Sequence, residues 1–230
     1  MADNISLTTL RDECKQRCDM ENSSFISDSE WATMINQCAH AFYDWVIGSW
    51  GADYWHSSSD LTTSAGTDTV ALPADFYQLI ALDYVPSGGD PVELEPFEWH
   101  ERNIYGVDSI SWSFANPPKY KLRANNIWVI PTPNSVYTLR CHYVPVLPDI
   151  GTVSDLLNSI SGWHEYIVLD CCIKALAKQE SSTTVYERQL EACKERLVRM
   201  APKRDHQALF KVRRTKLHRK NRGIYWWRNS

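Results

Sequence analysis

The apolar residues of this chain change their spacing twice, from a period of about 3.6 to one of 2 and back again. Such a chain builds helices first, then sheet, then helices. The strongest helical signal follows Ser27 and Asp28, either of which offers an N-cap, with Glu30 in the first turn. Trp31, Met34, Ile35, Cys38, Phe42, Trp45 and Val46 then form one continuous stripe at i, i+3, i+4, i+7, i+11, i+14 and i+15, closed by Gly48 and Gly51. A shorter helix precedes it over about residues 6–20, carrying Leu7, Leu10, Cys14 and Cys18. The stretch from His56 to Gly66 is polar and unpatterned and reads as an exposed loop.

Between about 68 and 146 the signal is that of strands. Leu79, Ile80, Leu82, Tyr84 and Val85 form an apolar run, turned back by Pro86-Ser87-Gly88-Gly89-Asp90-Pro91. Pro96 suits the start of a short helix over Phe97–Arg102. Tyr120–Arg123 and Ile127–Ile130 flank a turn at Asn125-Asn126. A further strand sets Tyr137, Leu139, Cys141 and Tyr143 on one face and Thr138, Arg140 and His142 on the other. Helix returns after Pro148, with Trp163, Tyr166, Ile167 and Cys171 on one line. A last helix over about 183–200 carries the stripe Tyr186, Leu190, Cys193, Leu197 and Met200.

The expected fold is therefore α+β and mainly α: an antiparallel helical bundle with an inserted small antiparallel β subdomain and an extended basic C-terminal tail. Residues 1–67 and 147–205 make the discontinuous bundle, 68–146 the β-rich insertion, and 206–230 the arm.

Charge divides the chain in a different place. Residues 201–230 hold ten Lys/Arg and one acidic residue, Asp205, leaving 14 basic and 27 acidic residues to the first 200 positions. An acidic body with a basic tail is two electrostatic objects, and the tail is the one that seeks a partner. Its basic residues could neutralise nucleic-acid phosphates, and Trp226 and Trp227 could anchor at a membrane interface. The arm could equally fold onto an acidic protein partner or simply solubilise the chain. Ten tryptophans and eleven tyrosines supply more rigid apolar surface than a monomer of this size needs, or else a core unusually rich in indole.

Tests for chemistry find little. No glycine-rich phosphate loop, Gly-x-Ser-x-Gly elbow or paired-histidine zinc helix is present. Cys14-x3-Cys18 lacks a second ligand pair at matching spacing, so no metal site is expected. Cys141-His142 and Cys171-Cys172, being adjacent, point to different faces. Glu98, His100 and Glu101 read as a solvated face. The seven scattered cysteines argue for free structural thiols in a reducing compartment. No catalytic residue and no cofactor is expected, and the chain reads as a protein without enzymatic activity. The opening MADNISLTT has no apolar stretch of the signal-peptide kind, and no apolar run is long enough to span a membrane.

Several segments, in order, resemble the head–tail connector adaptor family of tailed bacteriophages. The helix from Ser27-Asp28-Ser29-Glu30-Trp31 through Ile35-Asn36 to Tyr43-Asp44 is similar to that family's opening helix. Leu72-Pro73-Ala74-Asp75-Phe76-Tyr77 resembles its segment leading into a strand. Tyr120-Lys121-Leu122, Ile127 to Pro133, and Tyr137 to Pro145 look like its β segment, and Trp163 to Leu169 like its third helix. The resemblance runs over about residues 5–205.

It implies a structural virion protein of the head–tail neck, made in the host cytoplasm. Such a chain would be one copy in a homo-oligomeric, twelve-fold ring (a dodecamer) beneath the portal. Its partners would be the portal protein above and a tail or tail-completion protein below. Double-stranded DNA would pass through the channel during genome ejection without sequence-specific binding. On this reading Lys211, Arg213, Arg214, Lys216, Arg219, Arg222, Tyr225, Trp226 and Trp227 dock onto the portal. The alternative is a nucleic-acid-binding module that uses the same basic tail.

Overall fold

A computed structural model describes residues 2–105, 112–113, 117–151, 156–160 and 162–200. Chain order is β1 (Ala2–Ser6), α1 (Leu7–Arg17), α2 (Asp28–Trp50), β2 (Ser57–Thr62), β3 (Thr69–Ala71), β4 (Phe76–Val85), β5 (Val92–Glu93) and β6 (Glu95–Pro96). Then follow α3 (Arg102–Tyr105), β7 (Lys119–Arg123), β8 (Asn126–Ile130), β9 (Thr138–Pro145), β10 (Leu156–Ile160), α4 (His164–Lys178) and α5 (Thr184–Met200). The fold is α+β.

Helix α2 begins where its cap chemistry sets it. The Ser27 hydroxyl accepts from the Glu30 amide, and Asp28 and Glu30 lie in the positive first turn. It ends at Gly51, whose φ of 100° is poorly open to other residues; a Cβ there would also meet Asp53 Oδ1 at 2.7 Å. Trp31, Ile35, Cys38, Phe42 and Val46 are buried against Leu10 and Cys14 of α1, Ile167 and Cys171 of α4, and Leu190 and Leu197 of α5. Met34 and Trp45, at the edges of the same stripe, pack partly buried. At the rim, Arg17 holds Glu165 through two 2.7 Å hydrogen bonds, and Lys178 reaches Glu30.

A second core lies between two four-stranded sheets, ordered β2-β9-β4-β5 and β3-β8-β7-β6. Leu82, Tyr84, Leu139, Cys141 and Tyr143 from the first meet Val70, Ile127 and Val129 from the second. The alternation read in the last strand holds: Leu139, Cys141 and Tyr143 are buried while Thr138, Arg140 and His142 are only partly so.

Four local expectations need correction. The polar stretch after His56 is not a loop, because Ser57–Thr62 pairs antiparallel with β9, Ser57 opposite Tyr143. A half-exposed strand of Ser, Asp and Thr leaves no hydrophobic alternation to read, and only the partner's register reveals it. The insertion is not wholly antiparallel, since β6 pairs parallel to β7. The short helix starts later than Pro96: that residue ends β6, a 3-10 turn covers Trp99–Glu101, and α3 follows. Finally, the return to helix after Pro148 is interrupted by β10, which pairs with β1 at the start of the chain. A pairing between segments some 150 residues apart leaves no local mark.

Most of the described tryptophans pack against one of the cores. Trp31 is 1% exposed, Trp112 stacks on Tyr137 at 4.7 Å, and Trp50 meets Trp163 edge-on at 4.3 Å. Of the described tryptophans, Trp99 alone is more than half exposed, at 52%. Among the described residues the aromatic side chains mostly pack into the cores, with Phe25, Tyr77 and Trp99 left exposed.

The two cores are joined along α2, where Tyr43 and Ile47 pack with Val144 of β9, and Asn36 fastens the segment that follows β9. Asn36 donates its Nδ2 to the Ile150 carbonyl at 3.1 Å and accepts the Ile150 amide on Oδ1 at 2.9 Å. Asn36→Ala leaves both backbone groups without those partners, so it should destabilise the fold by about 1–3 kcal/mol. A urea melt followed by circular dichroism measures this, and an unchanged midpoint would mean the pair contributes nothing.

Candidate interaction site

One line of α2 carries polar and aromatic residues at i, i+4, i+7 and i+8: Asn36, His40, Tyr43 and Asp44. All four are engaged across the seam. His40 Nε2 lies 2.6 Å from Asp149 Oδ1, the Tyr43 hydroxyl donates to the Pro145 carbonyl at 2.6 Å, and Asp44 accepts the Tyr77 hydroxyl at 2.6 Å. Burial pushes the Tyr43 hydroxyl up to about 12, which keeps it a donor at any ordinary pH. The segment Asp75-Phe76-Tyr77 supplies the other side. Asp75 accepts the Tyr143 hydroxyl at 2.8 Å, and Phe76 stacks on the Tyr143 ring at 5.9 Å. Val144, fully buried, packs with Tyr43 and Ile47. These residues orient the β layers on the helices, so they are scaffold rather than a site.

An open surface beside a groove lies on α5. Its inner face buries Leu190, Cys193 and Leu197. A neighbouring line, Val185, Gln189, Ala192, Arg196 and Met200, is left uncovered, with Val185 61% and Met200 48% exposed. Met200 thus leaves the core stripe that its spacing predicts, because it stands on the last residue of the helix. Between this line and α4 runs a groove of about 370 Å³ lined by Gly162, Glu165, Leu169, Gln189, Ala192, Cys193 and Arg196. Exposed apolar side chains beside a groove, on the helix that leads directly into the basic segment, form the candidate docking surface. The sequence-derived docking residues, Lys211, Arg213, Arg214, Lys216, Arg219, Arg222, Tyr225, Trp226 and Trp227, lie outside the described residues.

At the groove rim, the hydrogen bonds and charge of Arg17 hold the Glu165 carboxyl below its ordinary 4.5. The pair's stabilisation is therefore present above that range and disappears as pH falls through the lowered value. Arg17→Gln should cost under about 1 kcal/mol at pH 7, the pair being a third exposed, and the gap to wild type should close below pH 4.5. Thermal melts of both proteins from pH 7 to 3 test this. A gap constant with pH would assign the effect to packing.

Six of the seven thiols lie in the helical core, and Cys141 lies in the β core. Cys14 lies against Cys171 and Cys172, Cys18 against Cys172, and Cys38 against Cys171, all buried. Adjacent Cys171 and Cys172 thus share one neighbour, Cys14, despite pointing to different faces. Contact with Cys14 and then with Cys18 draws the Cys172 thiol downward, and contact with Cys172 pushes Cys18 upward. Their burial in an apolar core favours the neutral thiols. Lys174 Nζ touches Cys38 at 3.1 Å, yet the contact with Cys171 and burial still push Cys38 up. Among the described residues no three metal-ligating side chains converge. A thiol reagent should therefore find all seven cysteines unreactive in the native chain and all seven after denaturation. Rapid native labelling of any one would contradict their burial.

Among the described residues no helix is long and apolar enough to cross a membrane. The SU10 adaptor protein family matches residues 5–214, nearly the whole chain and both cores. The chain belongs to the SU10 adaptor family. This is a phage adaptor family, in keeping with the head–tail connector resemblance, and a family of structural virion proteins rather than of enzymes. No curated protein matches the adaptor. Of the segments that carried the resemblance, Asn36, Tyr43-Asp44 and Asp75-Phe76-Tyr77 are the seam just described. The uncovered line of α5 escaped the sequence reading because it takes a solved partner helix to tell an exposed apolar residue from a buried one.

Proposed function

We propose that this adaptor is one subunit of a ring, twelve-fold as in the connector family, that joins the portal to the tail and lines the channel through which DNA leaves. The match to a phage adaptor family over residues 5–214 carries the reading. In it, a helical bundle of residues 1–67 and 147–205 bears the β-rich insertion 68–146, to whose sheet Ser57–Thr62 adds a strand. The arm 206–230 docks onto the portal, with Tyr225, Trp226 and Trp227 as anchors in pockets. Lys211, Arg213, Arg214, Lys216, Arg219 and Arg222 steer it, since binding energy concentrates in a few aromatic and arginine side chains. The groove and uncovered apolar line of α5 extend that contact to residue 185. A tail or tail-completion protein binds the opposite side. The acidic body lets double-stranded DNA pass without sequence-specific binding.

The purified chain, alone and mixed with the portal of its own virus, is the material for the test, and the mass of each sample in solution is the readout. A large stoichiometric complex that forms with portal, and is lost when residues 206–230 are deleted, is the expected outcome. Undiminished binding by the truncated chain would remove the arm from the interface. The ten basic residues of 201–230 support a second reading, nucleic-acid binding. No association with portal, together with a complex with DNA that weakens steeply with salt, would establish that one instead.

A further inference from the structure

On the outer face of the sheet β2-β9-β4-β5, two histidine rings stack at 5.1 Å with 23° between their planes. His56, exposed, directly precedes β2; His142 is on β9, its side chain 24% exposed. His56 Nε2 lies 2.8 Å from His142 Nδ1, and the other nitrogen of His142, Nε2, lies 3.2 Å from Asp83 Oδ2 on β4. The carboxylate can only accept here, so His142 carries its proton on Nε2 and turns the Nδ1 lone pair toward His56. A histidine fixed by a carboxylate, with its free nitrogen aimed at a second imidazole, is how proteins orient metal ligands.

We propose that His56 Nε2 and His142 Nδ1 bind a d-block dication of the zinc type, with Asp83 as the residue that positions His142. Imidazole nitrogen suits Zn²⁺, Cu²⁺ and Ni²⁺ and not the hard cation Mg²⁺. Bonds of about 2.05 Å at a tetrahedral angle place the two nitrogens roughly 3.3 Å apart. The pair therefore opens by about half an ångström, a movement within reach of an exposed side chain, while the His56 proton moves to Nδ1. Asp60, on β2 of the same sheet, is held by Arg140 at 2.8 and 3.1 Å. The chain thus supplies two ligands and leaves the other positions to solvent. The ion would clip the start of β2 to β9 beside the 3-10 turn Ala52–Trp55, where the helical core meets the sheet.

Calorimetric titration of the full-length, reduced chain with ZnCl₂, and with MgCl₂ as control, tests the site. One zinc ion per chain and no magnesium are expected, with loss of the zinc heat in His56→Ala and about 10–100-fold weaker binding in Asp83→Asn. His56 is exposed, so its replacement should leave the melting curve without metal unchanged. At ten times the half-saturating concentration zinc should raise the wild-type melting temperature by about 3–6 °C and leave that of His56→Ala where it was. Absence of zinc binding overturns the proposal. So does zinc binding that His56→Ala leaves intact, which would place the ion on thiols or on the tail histidines. Equal affinity in Asp83→Asn would remove Asp83 from its positioning role.

Discussion

The structure depends on α2 serving two partners at once. Its apolar stripe closes the helical core, burying Trp31, Ile35, Cys38 and Val46 almost completely. A line beside it reaches the sheet through Tyr43 and Asp44 and the segment that follows β9 through Asn36 and His40, with hydrogen bonds of 2.6–3.1 Å. A non-directional apolar face fixes how deep the helix sits, and directional polar contacts fix how the sheets are turned upon it. If either set is removed, the other loses its reference. Some of the short segments by which the family resemblance is carried, Asn36, Tyr43-Asp44 and Asp75-Phe76-Tyr77, fall on that seam.

This division bears on how an adaptor can work. On the proposed reading, the chain is a ring subunit and a rigid body suits it. Two separate cores, stitched by buried aromatic and amide contacts and by a fully buried Val144, meet that need with ordinary side-chain chemistry. The tryptophans contribute in the same way, as rigid plates in the interior. Among the surfaces that the described residues leave uncovered is the outer line of α5 with its groove against α4, on the helix that precedes the segment where the positive charge is concentrated. The charged outer face of the β2-β9 sheet, with its Asp60–Arg140 and Asp83–His142 contacts, is the other surface on which chemistry gathers.

Legibility followed the locality of the forces. Helices α1, α2 and α5 announce themselves because amphipathic period and caps are local: Ser27 sits three residues before Glu30, and the two find each other within one turn. The hairpin of β7 and β8 is legible for the same reason. Strand β2 is not, because Ser57, Ser59 and Thr62 acquire their strand identity from β9, some 80 residues away. The pairing of β1 with β10 is still more remote. Met200 shows the opposite failure, a residue at the right period that lies beyond the neighbour needed to bury it.

By itself, the sequence determined the α+β character, the places where period changes, the buried status of the thiols, the separation of acidic body from basic tail, and the family. Each is a property of residue type and short-range order, where propensity and periodicity act. Tertiary structure alone decided which strands pair, that one strand is parallel, that Asn36 meets Ile150 and Tyr43 meets Pro145, and that His56, His142 and Asp83 meet. Those contacts join segments 59–114 residues apart. Their geometry is set by sheet register and by the packing of whole elements, which no window of neighbouring residues contains.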